Sequence, residues 1–135
     1  MSESCIFCRI IRGAAPADVV AEDERVVVFL SLENHPLVVP KQHIPDIYSL
    51  DETTGAAIMR ATIAVARAVK EGLACEGVSL AQANEPAAGQ DVFHFHLHIY
   101  PRWRAVDFRR QQTMRASEAE RRETIQKIKA CLYLA

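Results

Sequence analysis

One segment, His94-Phe95-His96-Leu97-His98-Ile99-Tyr100, constrains this chain more than any other, because ring and apolar side chains alternate through it. Successive side chains on a β-strand project to opposite faces. A strand from Val92 to Tyr100 therefore sets three imidazoles on one face, with Phe95, Leu97 and Ile99 on the other. The apolar face can cover a core. Three titratable rings side by side, of five histidines in the chain, are costly unless they are used. Positions two apart on a strand are separated by about 6.6–6.8 Å, so His94 and His98 stand ~13 Å apart at Cα. A zinc–nitrogen bond is only about 2.0–2.1 Å. One ion does not easily gather all three rings. The easier division gives one end histidine to a metal and the other two to a substrate.

The remainder reads as a single domain, 1–135, of ordinary soluble composition: 135 residues, 50% apolar and 24% charged. A net charge of −1 gives no general attraction to nucleic acid or to a membrane, and neither is expected as a partner. A local basic cluster, Arg102, Arg104, Arg109 and Arg110, can still steer a small anion. No run approaches the ~18 apolar residues of a membrane span. Met1-Ser2-Glu3-Ser4 does not read as a secretory leader, and a cytoplasmic protein is expected. The four cysteines then argue against a disulfide framework. Cys75 and Cys131 read as isolated structural residues, whereas Cys5 and Cys8 form a C-x-x-C pair.

Along the chain, Cys5 to Gly13 suggests a turn and a short helix ended by Gly13. Val19 to Glu22 and Arg25 to Leu32 form a hairpin across Asp23-Glu24, and Pro36 to Val39 adds a strand bracketed by Pro36 and Pro40, where proline can sit at a strand end. A long helix follows, capped by Ser49 or Asp51, with Glu52 placed to complete a capping box with Ser49. Ile58, Thr62, Val65 and Val69 are its inner stripe, and Gly72 and Gly77 mark where it stops. Val78 to Ala83 is a strand, Asn84 to Gln90 a loop, and a last helix within about 114–133 starts near the box Ser117-Glu118-Ala119-Glu120, with Ile125, Ile128 and Leu132 as its stripe. This order predicts an α+β fold with a mainly antiparallel sheet and helices on its apolar face.

The His-x-His-x-His run resembles the signature of the histidine triad family of nucleotide hydrolases and transferases. Gly89-Gln90-Asp91-Val92-Phe93 is similar to that family's phosphate loop, Cys5 to Ile11 to its amino terminus, and His35 to His43 to its central strand segment. The likeness runs from about Cys5 to Arg102. It implies a five-stranded antiparallel sheet with a long central helix and a C-terminal helix, and a homodimer. It also implies that His96 is the nucleophile, attacking the α-phosphorus of a nucleotide to form a transient nucleotidyl-histidine. One imidazole nitrogen must then face phosphorus while the other donates to a fixed acceptor such as a backbone carbonyl. By the same resemblance His98 and Gln90 contact the phosphate oxygens, Asn84 lies near phosphate and ribose, Gly89 lets the backbone approach, and His35 stands behind them. The purine pocket corresponds to Ile6, Phe7, Ile10, Phe29 and Leu32. Ser31 replaces the aspartate that grips the ribose in many members, the loop before His35 is shorter, and Asp91 stands where others carry serine or threonine. At the strand end, Tyr100-Pro101-Arg102-Trp103, the residues themselves favour a surface arginine and edge packing; the alternative is a substrate rim in which Arg102 meets a distal phosphate and Trp103 covers the site.

Zinc-binding members supply a C-x-x-C pair, a histidine after the central strand and the first triad histidine. Those positions hold Cys5, Cys8, His43 and His94, a donor set that suits closed, structural, tetrahedral Zn2+. A redox C-x-x-C is the rival reading, without a thioredoxin-like βαβ context. The expected activity is release of a purine nucleoside 5'-monophosphate from a leaving group, by phosphoramidate or phosphoanhydride cleavage. The alternatives are a dinucleoside polyphosphate hydrolase, a non-catalytic nucleotide-binding or interaction protein, and a metallohydrolase with the triad as ligands.

Overall fold

The computed structural model describes residues 3–108 and 114–133. Arg109 and Arg110 of the expected basic cluster lie outside the described residues. Five strands, β1 (Asp18–Glu22), β2 (Val26–Leu30), β3 (Pro36–Pro40), β4 (Gly77–Ala81) and β5 (Leu97–Arg102), form one antiparallel sheet in the order β1-β2-β3-β5-β4. Three α-helices lying wholly among the described residues accompany it: α1 (Ile6–Ile11), α2 (Glu52–Gly72) and α3 (Glu118–Ala130). This is the α+β architecture that the sequence predicts. Among the described residues no helix is long and apolar enough to cross a membrane.

The sheet is covered on both faces. On one, α2 lays Ile58, Val65 and Val69 over Val28, Val38, Leu97 and Ile99, and Ile128 of α3 joins the same cluster. On the other, Phe7 of α1 packs with Val27, Phe29, Leu37 and Val39. Strand β2 is therefore buried along its whole length, which explains the unbroken apolar run Val26-Val27-Val28-Phe29-Leu30.

One expectation about α2 needs correcting, the capping box of Ser49 with Glu52. Its cap is Asp51, whose carboxylate accepts from the Thr54 amide. Ser49 ends a 3₁₀ turn, Ile47–Ser49, and no box with Glu52 forms. Gly72 is the last residue of the helix, as the sequence predicts. It is required because a Cβ there would run into the backbone carbonyl of Lys127, where α3 crosses α2. The left-handed residue beyond the helix is Ala74, at φ 51°. In α3 the box of Ser117 and Glu120 forms as the sequence predicts. Leu132 lies beyond the last turn and Ile125 is only partly buried, so Ile128 carries most of the stripe.

The histidine strand is also shorter than expected. β5 starts at Leu97, and only Leu97 and His98 pair with β3, opposite Val38 and Leu37. The ladder stops there because β3 ends in Pro40, which has no amide hydrogen to donate. Phe95 instead donates its amide to the Ile44 carbonyl at 2.7 Å. The alternation survives this detour, with Phe95, Leu97 and Ile99 at 3%, 9% and 0% exposure in the core under α2.

Candidate active site and metal centre

Cys5 is the N-cap of α1, and its sulfur accepts from the Cys8 amide at 3.5 Å, so one helical turn turns both thiols to the same side. His94 is fully buried opposite them, and its Nε2–H donates to the Pro40 carbonyl at 2.7 Å. That bond fixes the tautomer and leaves the Nδ1 lone pair facing Cys5 Sγ and Cys8 Sγ, each at 3.5 Å. His43 Nδ1 lies 3.2 Å from Cys8 Sγ. All four donor atoms fall within 4.8 Å of one another. Zinc–sulfur bonds of about 2.3 Å and zinc–nitrogen bonds of about 2.0 Å give tetrahedral edges of roughly 3.3–3.8 Å, close to the three thiol–imidazole separations of 3.5, 3.5 and 3.2 Å. The quartet fits a metal in donor type, in spacing and in the carbonyl that orients the His94 ring. Burial raises the pKa of the Cys5 thiol and lowers that of His94, both toward the neutral form. A cation seated here would reverse the first effect and be helped by the second.

The second and third triad histidines have different surroundings. His96 Nδ1 lies 2.8 Å from the His94 carbonyl and donates to it, so Nε2 keeps its lone pair. Nε2 lies 3.9 Å from Asp91 Oδ1, on a side chain that is 87% exposed. The edge of Phe7 flanks the ring at 5.1 Å between centroids. His96 is more enclosed than an open worksite, at 7% exposure. His98 places Nδ1 2.9 Å from His35 Nε2 and stacks on Tyr100 at 5.2 Å. Burial, reinforced by each ring's neighbouring imidazole, lowers His35 to about 3 and His98 to about 4. Both rings are therefore neutral near pH 7 and share one proton across their bond.

Several residues expected at a nucleotide have other partners here. Gln90 is buried and gives its amide hydrogens to the carbonyls of Pro45 and Val92, at 2.6 and 3.1 Å, while its Oε1 accepts from the Glu85 amide at 2.7 Å. It braces the loop and has no amide hydrogen left for a phosphate. Asn84 exchanges two hydrogen bonds with the Gln82 side chain and accepts from the Ile47 amide. The hydroxyl of Ser31 sits 3.1 Å from His35 Nδ1, inside the tight turn where the Ser31 amide bonds the His35 carbonyl, so it is turned toward that ring. Gly89 adopts φ 97°, a left-handed conformation that suits glycine, with open space where a Cβ would stand. Phe7 and Phe29 pack edge to face at 5.3 Å beside His96, with Ile10 against the same cluster, whereas Ile6 and Leu32 stand exposed.

Arg102 does not reach out as a rim residue. Its guanidinium lies between the rings of Tyr100, at 4.6 Å, and Phe108, at 4.4 Å, and donates to Ser79 Oγ. Trp103 packs on the main core, and Arg104 pairs with Glu76. Two features of the site go further than the sequence reading. Tyr100 continues the histidine face and lies 4.2 Å from the His35 ring, which the period-two pattern already implies. The carbonyls of Pro40, Ile44 and Pro45 hold His94, Phe95 and Gln90, and no sequence signal marks them.

Known proteins are similar to this chain in both scaffold and sequence. "Protein hit" of Bacillus subtilis is 39% identical over 106 residues, spanning 76% of this chain and 73% of its own length. Adenylylsulfatase HINT3 of Arabidopsis thaliana is 30% identical over 129 residues, 93% of this chain and 62% of that protein. A crystal structure of a Zn-bound histidine triad family protein from Mycobacterium smegmatis superposes with TM-score 0.83 at 34% identity, covering 95% of this chain and 92% of that one. Residues 12–105 match the HIT domain, and the chain belongs to the HIT domain family.

Proposed function

We propose that this protein is a nucleotide hydrolase that releases a purine nucleoside 5'-monophosphate from a leaving group through a nucleotidyl adduct on His96. One observation carries the reading: His96 Nδ1 donates to the His94 carbonyl at 2.8 Å, so the lone pair of Nε2 is held on the side of the ring that faces Asp91. Nε2 attacks the α-phosphorus, the bond to the leaving group breaks with its electron pair, and water then cleaves the adduct. His98, neutral and tied to His35, is the neighbouring donor for a phosphate oxygen when the shared proton lies on the His35 side. Because Gln90 is committed to the loop, its part is to hold that loop's backbone near the phosphate. Phe7, Phe29 and Ile10 wall the nucleoside side, with the exposed Ile6 and Leu32 available to close over a base. Family membership and the relative named as an adenylylsulfatase support the reaction class.

Cys5, Cys8, His43 and His94 would hold Zn2+ in a structural role, closing a four-ligand shell with no open position for a substrate. The Zn-bound relative supports that assignment. Homodimerisation in the cytoplasm completes the reading; it is supported by β4, which pairs with β5 alone among the described strands and leaves Leu80 half exposed.

The test is mass spectrometry of protein quenched during turnover of an adenosine 5'-phosphoramidate. The expected result is a nucleotidyl mass on the peptide containing His96, absent in His96→Ala together with turnover. Undiminished turnover in that variant refutes the reading.

A further inference from the structure

Asp91 is the charged side chain nearest the His96 lone pair among the ion pairs described, with Oδ1 3.9 Å from Nε2. It is 87% exposed, so its carboxylate stands in solvent beside the nitrogen that would attack phosphorus. In-line attack puts phosphorus about 3–3.5 Å from Nε2 and the departing atom one bond beyond, about 5 Å away. For any approach on Asp91's side of the ring, its carboxylate then lies within roughly 6 Å of the departing atom. Nothing in the imidazoles behind it offsets this charge, since His35 and His98 are both neutral at pH 7. Arg102 is held between Tyr100 and Phe108.

We infer that Asp91 selects substrates by the charge of the leaving group, favouring amines, and cationic amines most, over phosphates. This inference rests on the hydrolase reading above and names the substrate class for the same site. The P–N nitrogen takes one proton from solvent before it leaves, and a carboxylate beside the scissile bond stabilises that protonated form. As the bond from Nε2 to phosphorus forms, the P–N bond breaks and its electron pair stays with that nitrogen, so the amine departs neutral. Water then attacks phosphorus, returns the electron pair to Nε2 and releases one proton to solvent. A phosphate or polyphosphate leaving group gains negative charge in the same place and is repelled. Two unit charges about 6 Å apart, at effective dielectrics between those of protein surface and bulk water, change a rate by roughly threefold to a hundredfold, with about tenfold in the middle.

The experiment compares kcat/KM for three adenosine derivatives. One is AMP joined through nitrogen to ethylenediamine, which keeps an ammonium; the second is AMP joined to propylamine; the third is diadenosine tetraphosphate. Each is measured for the wild type and for Asp91→Asn, at low and at high salt. The wild type is expected to rank them cationic, neutral, anionic, with about tenfold per step at low salt and less at high salt. In Asp91→Asn the steps shrink to threefold or less, while circular dichroism and melting stay as in the wild type, as expected for so exposed a side chain. An unchanged ranking in the variant, or polyphosphate as the wild type's best substrate, overturns the role of Asp91 and leaves His96 chemistry standing. Absence of turnover on all three, with no nucleotidyl mass on His96, overturns the hydrolase reading and this inference together.

Discussion

Acidification provides a test of the His35–His98 pair that does not depend on any substrate. Burial first, then the neighbouring His98, lowers His35 from an ordinary 6.5 to about 3 in the folded chain. The folded value is the lower one, so between those limits the unfolded chain binds a proton that the folded chain refuses. His35's contribution is therefore complete above the unfolded value and is lost as the pH falls toward the folded one, at about 1.4 kcal/mol per pH unit inside the window. Between about pH 7.5 and pH 5 that integrates to a loss of roughly 2 kcal/mol from His35 alone. His98, lowered to about 4 but only partly buried, adds loss in the same direction, discounted for solvent screening. Urea unfolding at the two pH values, for the wild type and for His35→Gln, measures the difference directly. Other titrating groups are common to both proteins, so their share largely cancels. The wild type should lose about 2 kcal/mol more than the variant, a midpoint shift larger by more than about 1 M urea at an m-value near 1.5 kcal/mol/M. Equal losses in the two proteins, or a wild type that gains stability in acid, would refute the buried, neutral assignment.

Other perturbations have equally definite outcomes. Gly72→Ala gains up to ~1 kcal/mol of helix propensity but forces α2 away from the Lys127 carbonyl, for a net destabilisation of about 1–2 kcal/mol in chemical denaturation; a stabilised variant would contradict the close crossing. Ser117→Ala removes one arm of the capping box on α3 and should cost about 1 kcal/mol by the same assay. Gln90→Ala unfastens Glu85 from Pro45 and Val92, so proteolysis should begin to cut within residues 84–92 at wild-type protein concentrations, whereas the intact loop resists. Purified protein should carry about one zinc by elemental analysis, and a chelator should lower its melting temperature; Cys8→Ser should show neither effect, since this buried thiol faces both His43 and His94.

Much of this was legible in the sequence because it depends on periodicity. The stripe of α2, the box at Ser117 and the two-faced histidine segment all repeat at the spacing of their own element, and packing follows that spacing. The two thiols and the two imidazoles of the quartet were readable only through the family resemblance, since nothing local links Cys5 to His94. What the sequence did not disclose depends on backbone atoms far apart along the chain. The early end of the β3–β5 ladder follows from Pro40, and the commitment of Gln90 follows from a carbonyl at Pro45, forty-five residues away. Asp51 prevailed over Ser49 as the cap because residues Ile47–Ser49 form a 3₁₀ turn of their own. Ser31 turned inward because the short connection brings both the amide and the ring of His35 within reach of its hydroxyl.

The quartet collects its donors from the first helix, from the stretch after β3 and from the approach to β5, segments that only the native topology gathers. Grip on an ion and integrity of the chain are then a single equilibrium seen from two ends. Cobalt, whose thiolate complexes are coloured, would make that equilibrium visible: its absorbance should fade in step with unfolding, at a midpoint that rises with free metal concentration.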